Sequence, residues 1–171
     1  MDETVEPTAT ATETTRSEKR DEGDEDIVMV DVEPAERGQV QGRVALRETE
    51  QSLRLREEVH IFESEPIYFD FDESDLRTDA RAILTKKAIW LRENPAFSIR
   101  IEGHCDERGT IEYNLALGDR RADAARNFLI DLGISEKRLF TTSYGEEKPA
   151  DPRHTEEGWD RNRRAEFKVI K

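Results

Sequence analysis

All 12 aromatic side chains of this 171-residue chain lie at Phe62 or later. A core needs such large apolar groups, so only the later part of the chain can build one. Charge divides at nearly the same place. Residues 1–65 carry 19 acidic and 8 basic side chains, net −11, whereas residues 66–171 carry 21 and 19, net −2. High net charge with few hydrophobes cannot offset chain entropy, so the first part is expected to be a disordered acidic tail. The second part, about 106 residues, is a usual size for a single core. The boundary is placed at 56/57: residues 1–56 as a tether, residues 57–171 as the domain.

Within the tail, residues 1–26 are rich in Thr, Glu, Asp and Ala and read as a solvated, self-repelling spacer. The short apolar island Ile27-Val28-Met29-Val30-Asp31-Val32 is β-prone but too brief to assign, and is read as incidental. Residues 40–60 are irregularly apolar and suggest a frayed helix leading into the domain. About 60 flexible residues span roughly 40–45 Å, and charge repulsion extends them further.

Several function classes drop out on composition. No apolar run approaches the roughly 18 residues of a membrane span. The opening Met1-Asp2-Glu3-Thr4 lacks the basic and apolar regions of a secretory signal. One cysteine, Cys105, excludes an internal disulfide and a multi-cysteine zinc site. With a pI near 4.8 and no basic tract, nucleic acid is not an expected partner.

From Glu65 the patterning sharpens. Ile67-Tyr68-Phe69-Asp70-Phe71 reads as a buried strand. Thr78-Asp79 is placed to cap a helix carrying Ala80, Ile83, Leu84, Ala88 and Leu91, which Asn94-Pro95 ends. Phe97 to Glu102 alternates as a half-buried strand, and Gly103 to Gly109 follows as a polar loop. A second helix is expected from about Thr110 to Leu132, stopped by Gly133. Strands near 139–144 and 165–170, with a short helix near 155–162, complete the order β-α-β-α-β-α-β. This predicts an α/β sandwich, helices packed on one sheet, with a right-handed first β-α-β crossover and parallel strands in it.

The second helix contains two residues in unexpected positions. At 100° per residue, with Leu117 at zero, Phe128, Leu132, Ala125 and Leu129 define an apolar stripe from about 20° to about 120°. Arg121 falls at about 40° and Asn114 at about 60°, inside that stripe. A guanidinium there must snorkel or meet an acceptor, because an unpaired buried charge is very costly. One reading is a structural salt bridge to a loop carboxylate such as Asp106. The other is that Arg121 grips a ligand carboxylate in a bidentate pair, with Asn114 supplying amide donors and an acceptor.

The loop Gly103 to Thr110 ends a strand and opens this helix, where α/β sheets commonly place ligands. Asp106, Arg108 and Thr110 sit close to the helix N-terminus, whose free N–H groups favour anions. Asp106 for an ammonium and Arg121 for a carboxylate would suit an amino-acid head group. Asp70, mid-strand between two aromatics, is a further candidate, with loop capping as its alternative role. Catalytic readings are weaker. His104 and Cys105 are adjacent in an extended segment and point to opposite faces. His60, His104 and His154 match no metal-ligand spacing. With no Walker motif and no Gly-x-Ser-x-Gly, neither an enzyme nor a cofactor is expected.

Taken together, these segments resemble the OmpA-like peptidoglycan-binding domain family, and within it the peptidoglycan-associated lipoprotein (Pal) branch. The matching stretches are Ile67 to Asp72, Glu102 to Thr110, Glu112-Tyr113-Asn114, Leu117 to Ala122, Ser143 to Pro149, and Asn162 to Glu166, in order over about residues 60–171. The resemblance implies non-covalent binding of the peptidoglycan stem peptide at meso-diaminopimelate. It puts Asp106 and Arg121 on the gripping pair, Asn114 on the helix asparagine, and Asp70 on the acidic position of the first strand. Arg108 and Thr110 are matched loop residues, and Tyr113, Leu117 and Arg164 structural supports. It further implies a place on the periplasmic face of the outer membrane in a Tol–Pal-type system, with TolB as a possible partner, or an anchoring domain without Tol partners. Family members are held by an acylated cysteine after a signal peptide. Neither occurs here, and the expectation is that residue 1 follows such a cysteine. Cys105 stands where a small residue is common and is expected to be a buried, unreactive thiol.

Overall fold

The computed structural model describes residues 34–170, with the backbone alone for residues 34–45 and 48. The spacer and the Ile27–Val32 island lie outside the described residues. Helix α1 spans Pro34–Ser64. It runs through residue 56, so the boundary expected at 56/57 falls inside a helix, and the compact unit that holds the domain begins at Gly42. Leu, Arg, Glu and Gln favour a helix even where no apolar stripe exists, and Glu50 and Arg54 stand at i, i+4. Among the residues of α1 whose side chains are described, the packing face lies in the last turns. Leu55, Val59 and Phe62, at i, i+4 and i+7, are partly or fully buried.

The remaining elements are β1 (Ile67–Tyr68), α2 (Thr78–Glu93), β2 (Ser98–His104), α3 (Ile111–Asp131), a 3-10 turn (Glu136–Arg138), β3 (Leu139–Gly145), α4 (Glu156–Asn162) and β4 (Arg164–Ile170). The sheet order is β1-β4-β2-β3. β2 and β3 pair in parallel, while β4 is antiparallel to both β1 and β2. The strands of the first β-α-β unit therefore run the same way, as expected, but β4 lies between them. The result is the anticipated α/β sandwich on one mixed sheet. Ile67, Ile99, Ile101, Ala165 and Phe167 meet Leu84, Leu91, Ala125 and Leu129 in its core.

Two expectations at element ends are corrected. β1 stops at Tyr68 instead of Phe71, because its only partner, β4, begins at Arg164, which is already paired with Tyr68. Beyond that point one backbone bond remains, from Phe69 N–H to the Arg163 carbonyl at 2.9 Å, and the chain then turns to side chains: Arg163 donates to the Phe69 carbonyl at 3.3 Å and Arg121 to the Asp70 carbonyl at 3.1 Å. The cap of α2 is Arg77, in extended conformation and without a side-chain cap, with Thr78 already helical.

α3 can lie very close to β2 because two glycines face each other. A Cβ on Gly103 would meet the Gly118 carbonyl oxygen at 1.9 Å, and one on Gly118 would meet Ser143 Oγ at 2.2 Å. This close approach lowers Asn114 and Arg121 onto the β2–α3 loop.

The core also holds an unexpected cation. Lys87 lies on the buried face of α2, donates to the Phe62 carbonyl, and sits 4.4 Å and 4.5 Å from the ring centres of Phe62 and Phe167. Burial pulls its pKa down to about 8, against the opposing pull of Glu65 and Glu63. The unfolded chain thus binds more protons between pH 8 and pH 10.5, so stability rises with pH across that window. Urea unfolding is expected to show a gain of about 2–3 kcal/mol from pH 8 to pH 10.5, and a flatter profile for Lys87→Met.

Candidate functional site

The loop between β2 and α3 is held from several sides. Cys105 N–H donates to the Gly145 carbonyl at 2.8 Å, and Cys105 Sγ to the Asn114 carbonyl at 3.2 Å. Thr110 is the N-cap of α3, its hydroxyl accepting from Tyr113 N–H at 3.2 Å. Thr110 therefore shapes the loop and is not part of the cavity wall. Gly109 has φ of +122°, a conformation that disfavours any side chain.

Between this loop, α3 and the turn after β1 lies a cavity of about 240 Å³. Asp106, Arg108, Asn114 and Arg121 all line it, with Phe71, Asp72, Tyr113 and Leu117. The structure thus brings together four of the six residues singled out from sequence. Asp70 is the exception besides Thr110. Its carboxylate is exposed and pairs with Arg77 at 3.3 Å, away from the cavity. Its contribution is the backbone carbonyl given to Arg121.

Arg121 is 1% exposed, although it carries a full charge. Its Nε donates to the Glu73 carbonyl at 2.8 Å, Nη1 to the His104 carbonyl at 2.9 Å, and Nη2 to the Asp70 carbonyl at 3.1 Å. Cys105 Sγ lies 3.4 Å from Nη1. None of these partners is a carboxylate, so the structural salt bridge to Asp106 considered from sequence does not form. Burial depresses the guanidinium's pKa, with Cys105 and Asp106 pulling it back up. Carbonyl dipoles fix the fork in place without neutralising it.

Asp106 turns to other cations. Its Oδ1 accepts from Arg108 N–H at 3.1 Å and Nε at 3.3 Å, and its Oδ2 from Arg108 Nη2 at 2.7 Å and Arg163 Nη1 at 3.1 Å. Burial would raise its pKa, but the bonds from Arg108 and Arg163 outweigh burial and hold it below the usual carboxylate range. These four bonds fill the roughly four acceptor positions of a carboxylate. Arg163, with a side chain 5% exposed, is also held by Glu156 at 3.3 Å and by Asp160. Arg108, 31% exposed, lies between the rings of Phe71 and Trp159 at 4.1 Å and 4.2 Å.

Asn114 Nδ2 donates to Glu146 Oε2 at 2.6 Å and approaches the Asp106 and Arg108 carbonyls at 3.2 Å and 3.3 Å. Its buried amide locks the loop to the β3–α4 connection. Opposite, Tyr113 Oη donates to Asp72 Oδ1, and Asp72 has φ of +58°. Aspartate is among the few residues that tolerate that conformation. Asp70 stands out in the sequence by its place between two aromatics and by the acidic position of the resemblance, but β1 ends at Tyr68 and it is Asp72 that lines the cavity. Arg163 was missed as the buried anchor of Asp106; its place at the C-cap of α4 gives no periodic signal.

His104 and Cys105 do not form a catalytic pair. Burial pushes the Cys105 thiol up to about 11, despite Arg121, so it stays protonated. The His104 ring stacks on Tyr144 at 5.5 Å between centres, and burial together with Arg164 lowers its pKa to about 4.

Comparison with known proteins bears on this arrangement. The family model described as "OmpA family" matches residues 68–163. The chain is 52% identical over 99 residues to the peptidoglycan-associated lipoprotein of Brucella melitensis, covering 58% of this chain and 59% of that protein. It is 48% identical over 99 residues to the lipoprotein of the same name from Haemophilus influenzae, covering 58% and 65%. Among solved structures, the crystal structure of the peptidoglycan-associated lipoprotein from Burkholderia pseudomallei superposes with a TM-score of 0.60 at 42% identity, covering 61% of this chain and 89% of that one. The C-terminal domain of Helicobacter pylori MotB, at 21% identity and a TM-score of 0.59, covers 63% and 84% and shares the fold. The match spans about 59% of the length of the Brucella relative.

Proposed function

The chain belongs to the OmpA family, and on that footing we propose that its cavity binds peptidoglycan non-covalently, at the zwitterionic end of the meso-diaminopimelate residue in the stem peptide. The observation that carries this reading is Arg121, a buried, fixed guanidinium at a cavity wall whose acceptors are carbonyls and a thiol. A ligand carboxylate supplies the countercharge the fold withholds, in a charge-assisted bond contributing about 1.5–3 kcal/mol.

The ammonium end has two acidic groups to meet. Asp72 stands on the cavity wall already hydrogen-bonded to Tyr113. Asp106 is saturated, so a ligand ammonium reaches it by displacing Arg108, the more exposed of its two partners. Arg163 stays and keeps the carboxylate ionised. Exchange of one cation for another costs little charge, which suits a reversible, individually weak grip of micromolar order. Repetition of the ligand along the polymer strengthens retention.

In this reading the whole protein ties the outer membrane to the cell wall from the periplasmic side, as part of a Tol–Pal-type system with TolB as its protein partner. Identities of 42–52% to peptidoglycan-associated lipoproteins, against 21% to MotB, favour this over an anchoring domain without Tol partners. Among the described residues no helix is long and apolar enough to cross a membrane. The test is co-sedimentation of the full chain with purified sacculi. The chain is expected in the pellet and released by excess free stem peptide. A chain that stays in the supernatant, or a pellet indifferent to the peptide, contradicts the reading.

A further inference from the structure

The face of the sheet opposite α3 carries a second polar cluster that ligand binding in the cavity does not use. Gly103 turns towards Gly118, so its neighbours Glu102 and His104 project from the other face of β2. Glu166 stands directly across from Glu102 in the antiparallel ladder. One donor atom from each of Glu102, His104 and Glu166 lies within 4.8 Å of the others. The His104 ring is buried, 1% exposed, and neither ring nitrogen has a hydrogen-bond partner.

A network of ion pairs alone has no use for this imidazole. Arg100 takes Glu102 Oε1 at 2.7 Å and Arg164 takes Glu166 Oε1 at 2.7 Å, which leaves Glu102 a second oxygen for another partner and Glu166 one that meets only an exposed lysine. Lys168 is 3.7 Å from Glu166 Oε2. Tyr144 stacks on the imidazole, and Lys148 closes over Tyr144 at 3.5 Å from its ring centre. The cluster is therefore partly roofed, with one neutral nitrogen donor and two carboxylates converging.

We propose that Glu102, His104 and Glu166 form a binding site for a divalent transition-metal ion of the zinc type. One imidazole and two carboxylates are a fitting donor set for such an ion, with water as the fourth ligand. Zinc bonds of about 2.0–2.2 Å require the donors, now within 4.8 Å of one another, to close in further. The metal takes over countercharge now supplied by Arg100 and Lys168, whose side chains are 43% and 39% exposed and can turn to water. Arg164, bonded to the Lys148 carbonyl at 3.3 Å, stays and orients Glu166. The proposal does not rest on the peptidoglycan reading: its donors are side chains on the face of β2 away from α3, and His104 meets the cavity only through the carbonyl that accepts from Arg121.

Calorimetric titration of the chelator-stripped full chain with zinc sulfate tests this, with cobalt(II) absorption reporting a tetrahedral site. One equivalent is expected to bind. Glu166→Gln and Glu102→Gln are each expected to weaken binding about tenfold or more, while His60→Ala and His154→Ala, which remove the other two imidazoles, leave it unchanged. Melting curves of the metal-free variants check that each is folded, and two separate glutamine variants guard against one that is not. No binding, binding that survives both glutamine variants, or binding lost with His60→Ala or His154→Ala would overturn the proposal.

Discussion

Replacing Arg121 with alanine is expected to abolish co-sedimentation with sacculi and to lower the unfolding free energy by about 3 kcal/mol. Both effects follow from its three carbonyl partners. Removing the guanidinium takes away the only fixed positive charge the proposal assigns to the ligand carboxylate. It also strips donors from the carbonyls of Glu73, His104 and Asp70, each costing about 1–3 kcal/mol if left dry, and less where water enters the gap. Loss of a ligand contact alone would leave stability near normal. A side chain that ties the turn after β1 to the end of β2 cannot be removed so cleanly. Arg121→Lys separates the two roles. Lysine keeps the charge but not the planar fork, so the variant should fold better than the alanine variant and still bind about 10- to 100-fold more weakly than the parent. Urea unfolding beside the sedimentation assay reads both quantities.

Asp106→Ala is expected to abolish sedimentation as well, with a stability loss of about 2–4 kcal/mol. Breaking one partner of a buried pair is costly because the other charge stays buried. Here that charge is Arg163, bonded to Asp106 at 3.1 Å with both side chains 5% exposed. Glu156 and Asp160 still hold its other nitrogen, which limits the damage. Asp106→Asn keeps the shape and one acceptor oxygen, so it should lose less stability while binding remains weak. A variant that sediments normally despite losing the carboxylate would remove Asp106 from the ligand grip and leave it as an anchor for Arg163 and Arg108. The lowered pKa makes the pair robust to mild acid: the carboxylate's contribution is present above its unfolded pKa and is lost only as pH falls through the lower folded value.

Much of this site was legible in the sequence because helical periodicity is a strong signal. Arg121 and Asn114 stood out as polar residues inside the apolar stripe of α3, and both are 1% exposed in the structure. The helix and strand order was equally legible, since each element has its own apolar period. What periodicity could not show was where ladders run out. β1 ends at Tyr68 because β4 has no earlier residue to pair with, and that is a tertiary fact. The same limit hid that the turn delivers Asp72 to the cavity. Arg163 and Lys87 were likewise invisible, because a buried cation is explained only by partners distant in sequence, such as Asp106 and Phe62. The long helix α1 was underestimated for a related reason. Propensity and charge pairing sustain it where no apolar stripe announces it.

The most direct test of the central claim is calorimetric binding of two soluble stem peptides that differ only at the third residue, one with meso-diaminopimelate and one with lysine. Lysine keeps the ammonium and lacks the side-chain carboxylate, so it removes the group assigned to Arg121 and nothing else. The account predicts micromolar binding of the diaminopimelate peptide, binding of the lysine peptide weaker by about 10- to 100-fold, and no difference between the two in Arg121→Lys beyond about twofold. Equal affinity of the parent chain for both peptides would contradict it.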